Sequence, residues 1–213
     1  MEDLKFSPAT HTYILPSGVL VPSVTEILKE TVLECSSEWW TEEGRDKGRL
    51  VHAACAVLDG RVCELCRGEG VIPVAPLACP VCAPTEEIQD YVEAWQLAKQ
   101  ELGIEVLAVE ALCYDPIRNV AGTYDRKAII GGREGILEIK TGPPSRPDWW
   151  RLQLVAYSLM AWPDAEPHVR WAVRLDEDRT YQLYTYPPST YLEDAVVWTA
   201  LTHYYKWRIN NDH

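Results

Sequence analysis

Asp125, Glu138 and Lys140 form the grouping in the sequence that best suits catalysis. Glu138 and Lys140 stand two apart in an apolar run that predicts a strand, so both side chains point to one face. Gly131-Gly132 predicts a hairpin turn, which would bring Asp125 beside Glu138. Carboxylates are hard ligands for Mg²⁺ or Mn²⁺, and an adjacent lysine can orient water or stabilise negative charge. The grouping suits metal-assisted hydrolysis of a phosphodiester; the alternative is a solvated strand face with cross-strand ion pairs.

A second metal site is predicted by two C-x-x-C pairs, which are Cys63, Cys66, Cys79 and Cys82. Twelve residues separate the pairs, and two such turns brought together give the four thiolates of a tetrahedral structural Zn²⁺ site. An iron–sulfur cluster and four ordinary buried thiols are the alternatives. Residues 61–84 are rich in cysteine, glycine and proline and lack a hydrophobic period. We interpret them as a zinc knuckle inserted into one domain, formed by residues 1–60 and 85–213, that stabilises its own loop, clamps DNA or docks a partner.

The hydrophobic pattern predicts an α/β fold, with a mixed central β-sheet flanked by helices and the small zinc-binding insertion. A hairpin around Pro16-Ser17-Gly18 comes first, followed by a helix that Ser23 begins with a capping-box pattern and that ends near Lys29. Further strands are expected at about 105–113, 123–130, 134–140, 168–175 and 180–186. Further helices are expected at about 36–58, 85–103, 147–161 and 189–209.

Five motifs along the chain resemble those of one nuclease superfamily. They are Gly122-x-x-Asp125 followed by Glu138-x-Lys140, Gln153-x-x-x-Tyr157, Gly48-x-x-x-His52, Glu110 at the end of an apolar strand, and the N-terminal stretch 13–25. In this order they resemble the PD-(D/E)XK nucleases of the RecB-like branch, and the N-terminal stretch resembles its phage-type exonucleases. The resemblance covers most of the chain except residues 61–84, and Tyr124 stands where the motif often has proline.

This resemblance implies a restriction-endonuclease-like core and a Mg²⁺- or Mn²⁺-dependent deoxyribonuclease. It further implies an exonuclease of DNA recombination, repair or replication, encoded by a phage. The implied ligands of the catalytic ion are His52, Asp125, Glu138, the backbone carbonyl of Ile139 and, as a neighbouring or second-metal group, Glu110. Lys140 would be the catalytic lysine, and Gln153 and Tyr157 would position the DNA or that lysine. Judged from the residues alone, His52 and Tyr157 also fit core positions, and Glu110 also fits a salt bridge.

Six residues are candidates for contact with DNA: Arg45, Lys47, Arg49, Trp149, Trp150 and Arg151. The first three lie on the predicted helix that carries His52, and the others open the predicted helix that carries Gln153. Basic side chains can contact phosphates, and tryptophans can stack on unpaired bases. The alternative is a solvated charged face together with ordinary core tryptophans.

The formal net charge of −12 over 213 residues argues against tight non-specific binding to DNA. It favours a partner that delivers the substrate, such as a recombination or single-strand-binding protein. No apolar run approaches the ~20 residues of a membrane span, and the N-terminus lacks signal-peptide features. We therefore expect a cytoplasmic protein, in the host cell cytoplasm if phage-encoded, with no membrane partner. The non-enzyme alternatives are a nucleic-acid-binding or scaffold protein that keeps the nuclease fold, and a zinc-ribbon adaptor.

Overall fold

A computed structural model of the protein describes residues 4–7, 10, 12–32, 42–70, 78–142, 147–163 and 166–211. Its strands are β1 (Lys5–Ser7), β2 (Thr12–Ile14), β3 (Leu20–Val21), β4 (Glu105–Asp115), β5 (Val120–Ile130), β6 (Arg133–Lys140), β7 (Val169–Leu175) and β8 (Tyr181–Tyr186). Its helices are α1 (Val24–Thr31), α2 (Glu42–Leu58), α3 (Glu86–Leu102), α4 (Pro147–Ala161) and α5 (Tyr191–Asn211). A 3₁₀ turn at Pro188–Thr190 precedes α5.

Five strands form the central sheet in the order β4-β5-β6-β7-β8. Neighbouring strands are antiparallel except β6 and β7, which are parallel. A parallel pair needs a long crossover connection, and α4 lies in the connection between β6 and β7. The sheet is therefore mixed, and the fold class predicted from the sequence is confirmed.

Helices cover both faces of this sheet. On one face, α2 and α3 pack against β6 and β7 in a core that includes Trp95 and Ile139. On the other face, α1, α4 and α5 form a core that includes Leu154, Trp198 and Ile136 of β6. The odd spacing between Ile136 and Ile139 places them on opposite faces, as strand geometry requires.

The N-terminal strands form a separate small antiparallel sheet in the order β1-β2-β3. A parallel bridge between Ser23 and Ala121 attaches the chain after this sheet to β5. The capping box predicted for α1 is present: Ser23 Oγ accepts from the Glu26 N–H, and Glu26 Oε2 accepts from the Ser23 N–H. This cap fixes where α1 begins.

The observed elements differ from the sequence-based expectation in two places. Strand β1 was not predicted, because a three-residue strand has no readable period. Strands β4 and β5 extend further towards the turn between them than predicted. The turn is short because the Asp115 Oδ1 accepts from the N–H groups of Ile117 and Arg118. The predicted start of α2, near residue 36, lies outside the described residues. Across the described residues, none of the helices combines the length and apolarity that crossing a bilayer requires.

Candidate active site and cysteine cluster

The candidate active site begins where the hydrogen-bond ladder between β5 and β6 ends. The ladder runs from the turn to the pair Arg126 and Leu137. At the next position, side chains replace the backbone bonds. The Asp125 N–H donates to Glu138 Oε1 at 3.0 Å, and the Ile139 N–H donates to Asp125 Oδ2 at 2.7 Å. Both carboxylates are buried and lie side by side, as the glycine hairpin predicts.

His52 and Glu110 approach Asp125 from other elements. His52 Nδ1, from α2, lies 3.2 Å from Asp125 Oδ1. Glu110 of β4 has a left-handed backbone with φ of 47°, which is uncommon for a non-glycine residue and typical of functional sites. One ligand atom from each of these three residues lies within 4.8 Å of the others. This nitrogen-and-oxygen set fits a divalent cation.

Glu138 faces the lysine instead of this group of three. Lys140 Nζ donates to Glu138 Oε2 at 3.2 Å and to Gln153 Oε1 at 2.7 Å. The even spacing of Glu138 and Lys140 on β6 puts both on the face that α4 covers, where Ile136 also packs. The structure therefore brings the predicted lysine, carboxylate and glutamine into one hydrogen-bonded chain.

Tyr157 extends that chain and is also part of the core. Gln153 Nε2 donates to the Tyr157 hydroxyl at 3.4 Å, across one turn of α4. The buried Tyr157 ring lies against Gly122, where an added Cβ would stand 2.5 Å from Tyr157 Cε1. Gly122 is thus required for the close approach of α4 to β5. Tyr157 fills the core and at the same time orients Gln153 towards Lys140.

The protein environment shifts the pKa values of the two carboxylates in opposite directions. Burial opposes ionisation of Asp125, but the His52 charge and hydrogen bond, with Lys140, outweigh it and lower the pKa of Asp125 to about 2. Burial and the Asp125 charge raise the pKa of Glu138 to about 7, against the attraction of Lys140. Burial lowers the pKa of His52, but Asp125 outweighs it and the net pKa is raised. One carboxylate therefore stays charged while its neighbour takes up a proton near neutrality.

A buried ion-pair network behind the site was not anticipated from the sequence. Asp59, just after α2, accepts from Lys99 Nζ and, at 2.7 Å, from Arg126 Nε. Arg126 Nη1 donates to the Asp125 carbonyl at 2.7 Å and to Glu110 Oε1 at 3.4 Å. The side chains of Asp59 and Arg126 are fully buried. The available signal was the charged residue Arg126 directly beside Asp125 on β5.

The four cysteines of the predicted zinc knuckle converge. Sγ of Cys63 lies 3.7 Å from that of Cys79, and Sγ of Cys66 lies 3.5 Å from that of Cys82. These distances exclude disulfides, whose sulfurs are about 2.05 Å apart. Tetrahedral thiolates about 2.3 Å from a Zn²⁺ ion would be about 3.8 Å from one another. The Gly70 N–H donates to Cys66 Sγ at 3.3 Å, so the cluster can form a small metal-binding insertion.

The predicted DNA-contacting residues of α2 lie near the surface. Arg45 and Arg49 are exposed, and Arg49 pairs with Asp46 at 3.1 Å. Lys47 is less exposed, and its ammonium forms a 2.8 Å ion pair with Glu87. The two arginines therefore remain the more accessible cations of this set.

The predicted residues at the start of α4 are mostly engaged within the protein. Trp150 is 5% exposed and packs edge-on against Tyr184, so it is a core residue and not a surface for DNA bases. Arg151 forms ion pairs with Glu193 and Asp194 of α5. Trp149 is partly buried and packs against the same core. This end of α4 contributes to the packing of α5.

Comparison with known proteins gives distant structural likenesses. No protein-family model matches the chain, and no curated protein matches its sequence. The solved structure of the protein SSO0001 is 19% identical, covers 73% of this chain and 74% of its own, and has a TM-score of 0.30. An alkaline exonuclease, LHK-Exo from Laribacter hongkongensis, is 13% identical over 83% of this chain and 91% of its own, with a TM-score of 0.36. The structure of LHK-Exo in complex with dAMP is 14% identical, covers 84% of this chain and 100% of its own, and has a TM-score of 0.34. Likenesses this distant say nothing by themselves about the chemistry of this chain.

Proposed function

We propose that this protein is a divalent-metal-dependent nuclease that hydrolyses phosphodiester bonds in DNA. The observation that carries the proposal is the convergence of Asp125, Glu138 and Lys140 where the β5–β6 ladder ends, with His52 and Glu110 beside Asp125. Buried carboxylates and a lysine destabilise a fold unless they are paired or bind an ion. A phosphodiester hydrolase needs this grouping of two carboxylates and a lysine at one site.

The catalytic ion would be Mg²⁺ or Mn²⁺, held by Asp125 with His52 and Glu110, and by Glu138 after its side chain turns from Lys140. A bound ion of this kind polarises a phosphate and lowers the pKa of water. The backbone carbonyl of Ile139 is a further proposed ligand. The cysteine cluster would hold Zn²⁺ as a structural ion, separate from this chemistry.

Lys140 would stabilise negative charge on the phosphate and orient the attacking water. Its ammonium is held by Gln153 and Glu138, and Gln153 is in turn held by Tyr157, so Lys140 is oriented before the substrate arrives. If Glu138 turns to an ion, Lys140 keeps Gln153 as its partner and has donors free for a phosphate oxygen. Gln153 and Tyr157 would therefore act as positioning residues.

The motif resemblance favours an exonuclease within this class, and a role in phage recombination, repair or replication with a DNA-delivering partner follows from the same resemblance. The test uses end-labelled linear duplex, linear single-stranded and closed circular DNA, with Mg²⁺, Mn²⁺ or neither. Release of mononucleotides from linear DNA, with circular DNA left intact, is the result expected. Cutting of circular DNA would overturn the exonuclease assignment and keep the nuclease.

Matched variants separate catalysis from folding. Glu138→Gln and Lys140→Met should reduce cleavage at least about 100-fold, the usual scale for losing a group that stabilises charge in the transition state. Glu134→Gln and Lys127→Met serve as controls, because that pair forms a 2.7 Å ion pair on the same hairpin away from the site. Absence of cleavage by the wild type in every metal, with DNA binding retained, would favour the non-catalytic DNA-binding protein instead.

A further inference from the structure

The outer face of α5 is an apolar stripe. Its exposed large residues between positions 192 and 207 are Leu192 (72%), Val196 (70%), Val197 (42%), Tyr204 (48%) and Trp207 (62%). The remaining exposed residues between positions 192 and 207 are Ala200, His203 and Glu193. The stripe runs about 22 Å along the helix at 1.5 Å per residue.

The opposite side of α5 packs into the core and also carries Asp194, which is buried and pairs with Arg151 and Arg170. Trp198 and Tyr205 are buried there against α1 and α4. Large apolar side chains on both faces of a helix are typical of a helix that is covered on both faces. Within the described ranges of the chain, no helix or strand covers the stripe, so it is open to a second molecule.

We propose that a second copy of this chain covers the stripe, through a two-fold antiparallel pairing of α5 with α5. The stripe is self-complementary about Ala200, the small residue at its middle. A two-fold axis there places Val196 opposite Tyr204 of the partner copy, and Val197 opposite His203. Trp207 then lies over the partner's Leu192 and Glu193. Small residues at the axis let two helices approach closely, and larger residues on either side interlock.

The size of the stripe fits this occupant. Covering its exposed side chains would remove on the order of 600 Å² from each copy, about 1,200 Å² for the pair, which is the lower end of specific interfaces. The antiparallel arrangement also opposes the two helix dipoles favourably. None of the residues of the candidate active site lies on this stripe, so the pairing leaves that site unchanged.

Light scattering after size exclusion tests the pairing with the full chain. At about 100 µM the mass should be twice 24.2 kDa, and it should fall towards 24.2 kDa on dilution, as expected for a modest interface. Val196→Glu and Ala200→Glu should give monomers at every concentration. Leu20→Glu is the matched control, because Leu20 is also exposed and apolar (64%) but lies on β3. A monomeric wild type, or a dimer that survives Ala200→Glu, would overturn the proposal and leave the stripe to a different protein.

Cysteine cross-linking tests the geometry. Under mild oxidation Ala200→Cys should form a disulfide-linked dimer, because the two new thiols meet at the axis. Leu192→Cys should not, since antiparallel pairing separates the two positions by about 24 Å along the helix. Wild type treated in the same way accounts for any cross-linking by the native cysteines. Cross-linking at position 192 but not at 200 would overturn the antiparallel arrangement.

Discussion

Replacing Glu138 by glutamine should make the metal-free protein more stable above neutral pH, although it removes a proposed ligand of the catalytic ion. The Glu138 carboxylate is buried beside Asp125, which raises its pKa from 4.5 to about 7. Between these two values the unfolded chain releases the proton and the folded protein keeps it, so stability falls as pH rises through this window. Above it the full penalty is present, and the change in pKa corresponds to about 3 kcal/mol.

Glutamine at this position removes the penalty at a smaller cost. Its amide oxygen can still accept from the Asp125 N–H, but its amide nitrogen cannot accept from Lys140, and the lost hydrogen bond costs about 1 kcal/mol. The variant should therefore be about 2 kcal/mol more stable at pH 8, which raises the melting temperature by about 4–8 °C for a chain of this size. At pH 5 the penalty is mostly absent, so the variant should melt slightly below the wild type.

The assay is thermal unfolding of wild type and Glu138→Gln at pH 5 and pH 8, after removal of Mg²⁺ and Mn²⁺ by gel filtration. Glu134→Gln, on the same strand and partly exposed, is the matched glutamate-to-glutamine control outside the site. Adding Mn²⁺ should stabilise the wild type more than Glu138→Gln, because the ion binds the folded site. Equal differences in melting temperature at the two pH values would refute the assignment of the raised pKa to Glu138.

Three further predictions follow from the geometry. Gly122→Ala should lower stability by about 1–3 kcal/mol in urea unfolding, because the new Cβ meets the Tyr157 ring; an unchanged midpoint would contradict the close packing. The double variant Cys63→Ser/Cys66→Ser should lose about one zinc per chain by elemental analysis, whereas iron in the wild type would show that the cluster is an iron–sulfur site. Arg126→Met should lower the free energy of unfolding by about 3–5 kcal/mol in urea unfolding, because it leaves buried carboxylates without their cation. A decrease below about 1 kcal/mol would mean that water reaches these carboxylates.

The sheet and the core of the candidate site could be predicted because they depend on local rules. The spacing of Glu138 and Lys140 follows from the period of a strand, and the glycine pair of the β5–β6 turn fixes the register that brings Asp125 opposite Glu138. The i,i+4 spacing of Gln153 and Tyr157 likewise follows from the period of a helix. Each of these relations spans a single element or a single hairpin.

The remaining features depend on packing between distant segments. Asp59 lies 40 residues from Lys99 and 67 from Arg126 in the sequence, and nothing around it distinguishes it from an ordinary residue at a helix end. The burial of Trp150 is set by the position of β8, which local pattern does not fix. The left-handed backbone at Glu110 is likewise a product of tertiary structure, since glutamate has no intrinsic preference for it.

Two backbone amides of the site donate to side chains instead of to a neighbouring strand, so their hydrogen exchange can report on ligand binding. Amides inside a sheet ladder are protected from hydrogen exchange by neighbouring carbonyls, and their protection follows the opening of the sheet. The amides of Asp125 and Ile139 are instead bound to carboxylates. Drawing either carboxylate towards a cation would free the matching amide while the rest of the strand stays protected. Exchange rates at these two positions would therefore record ligand occupancy separately for Glu138 and for Asp125, without any substrate turnover.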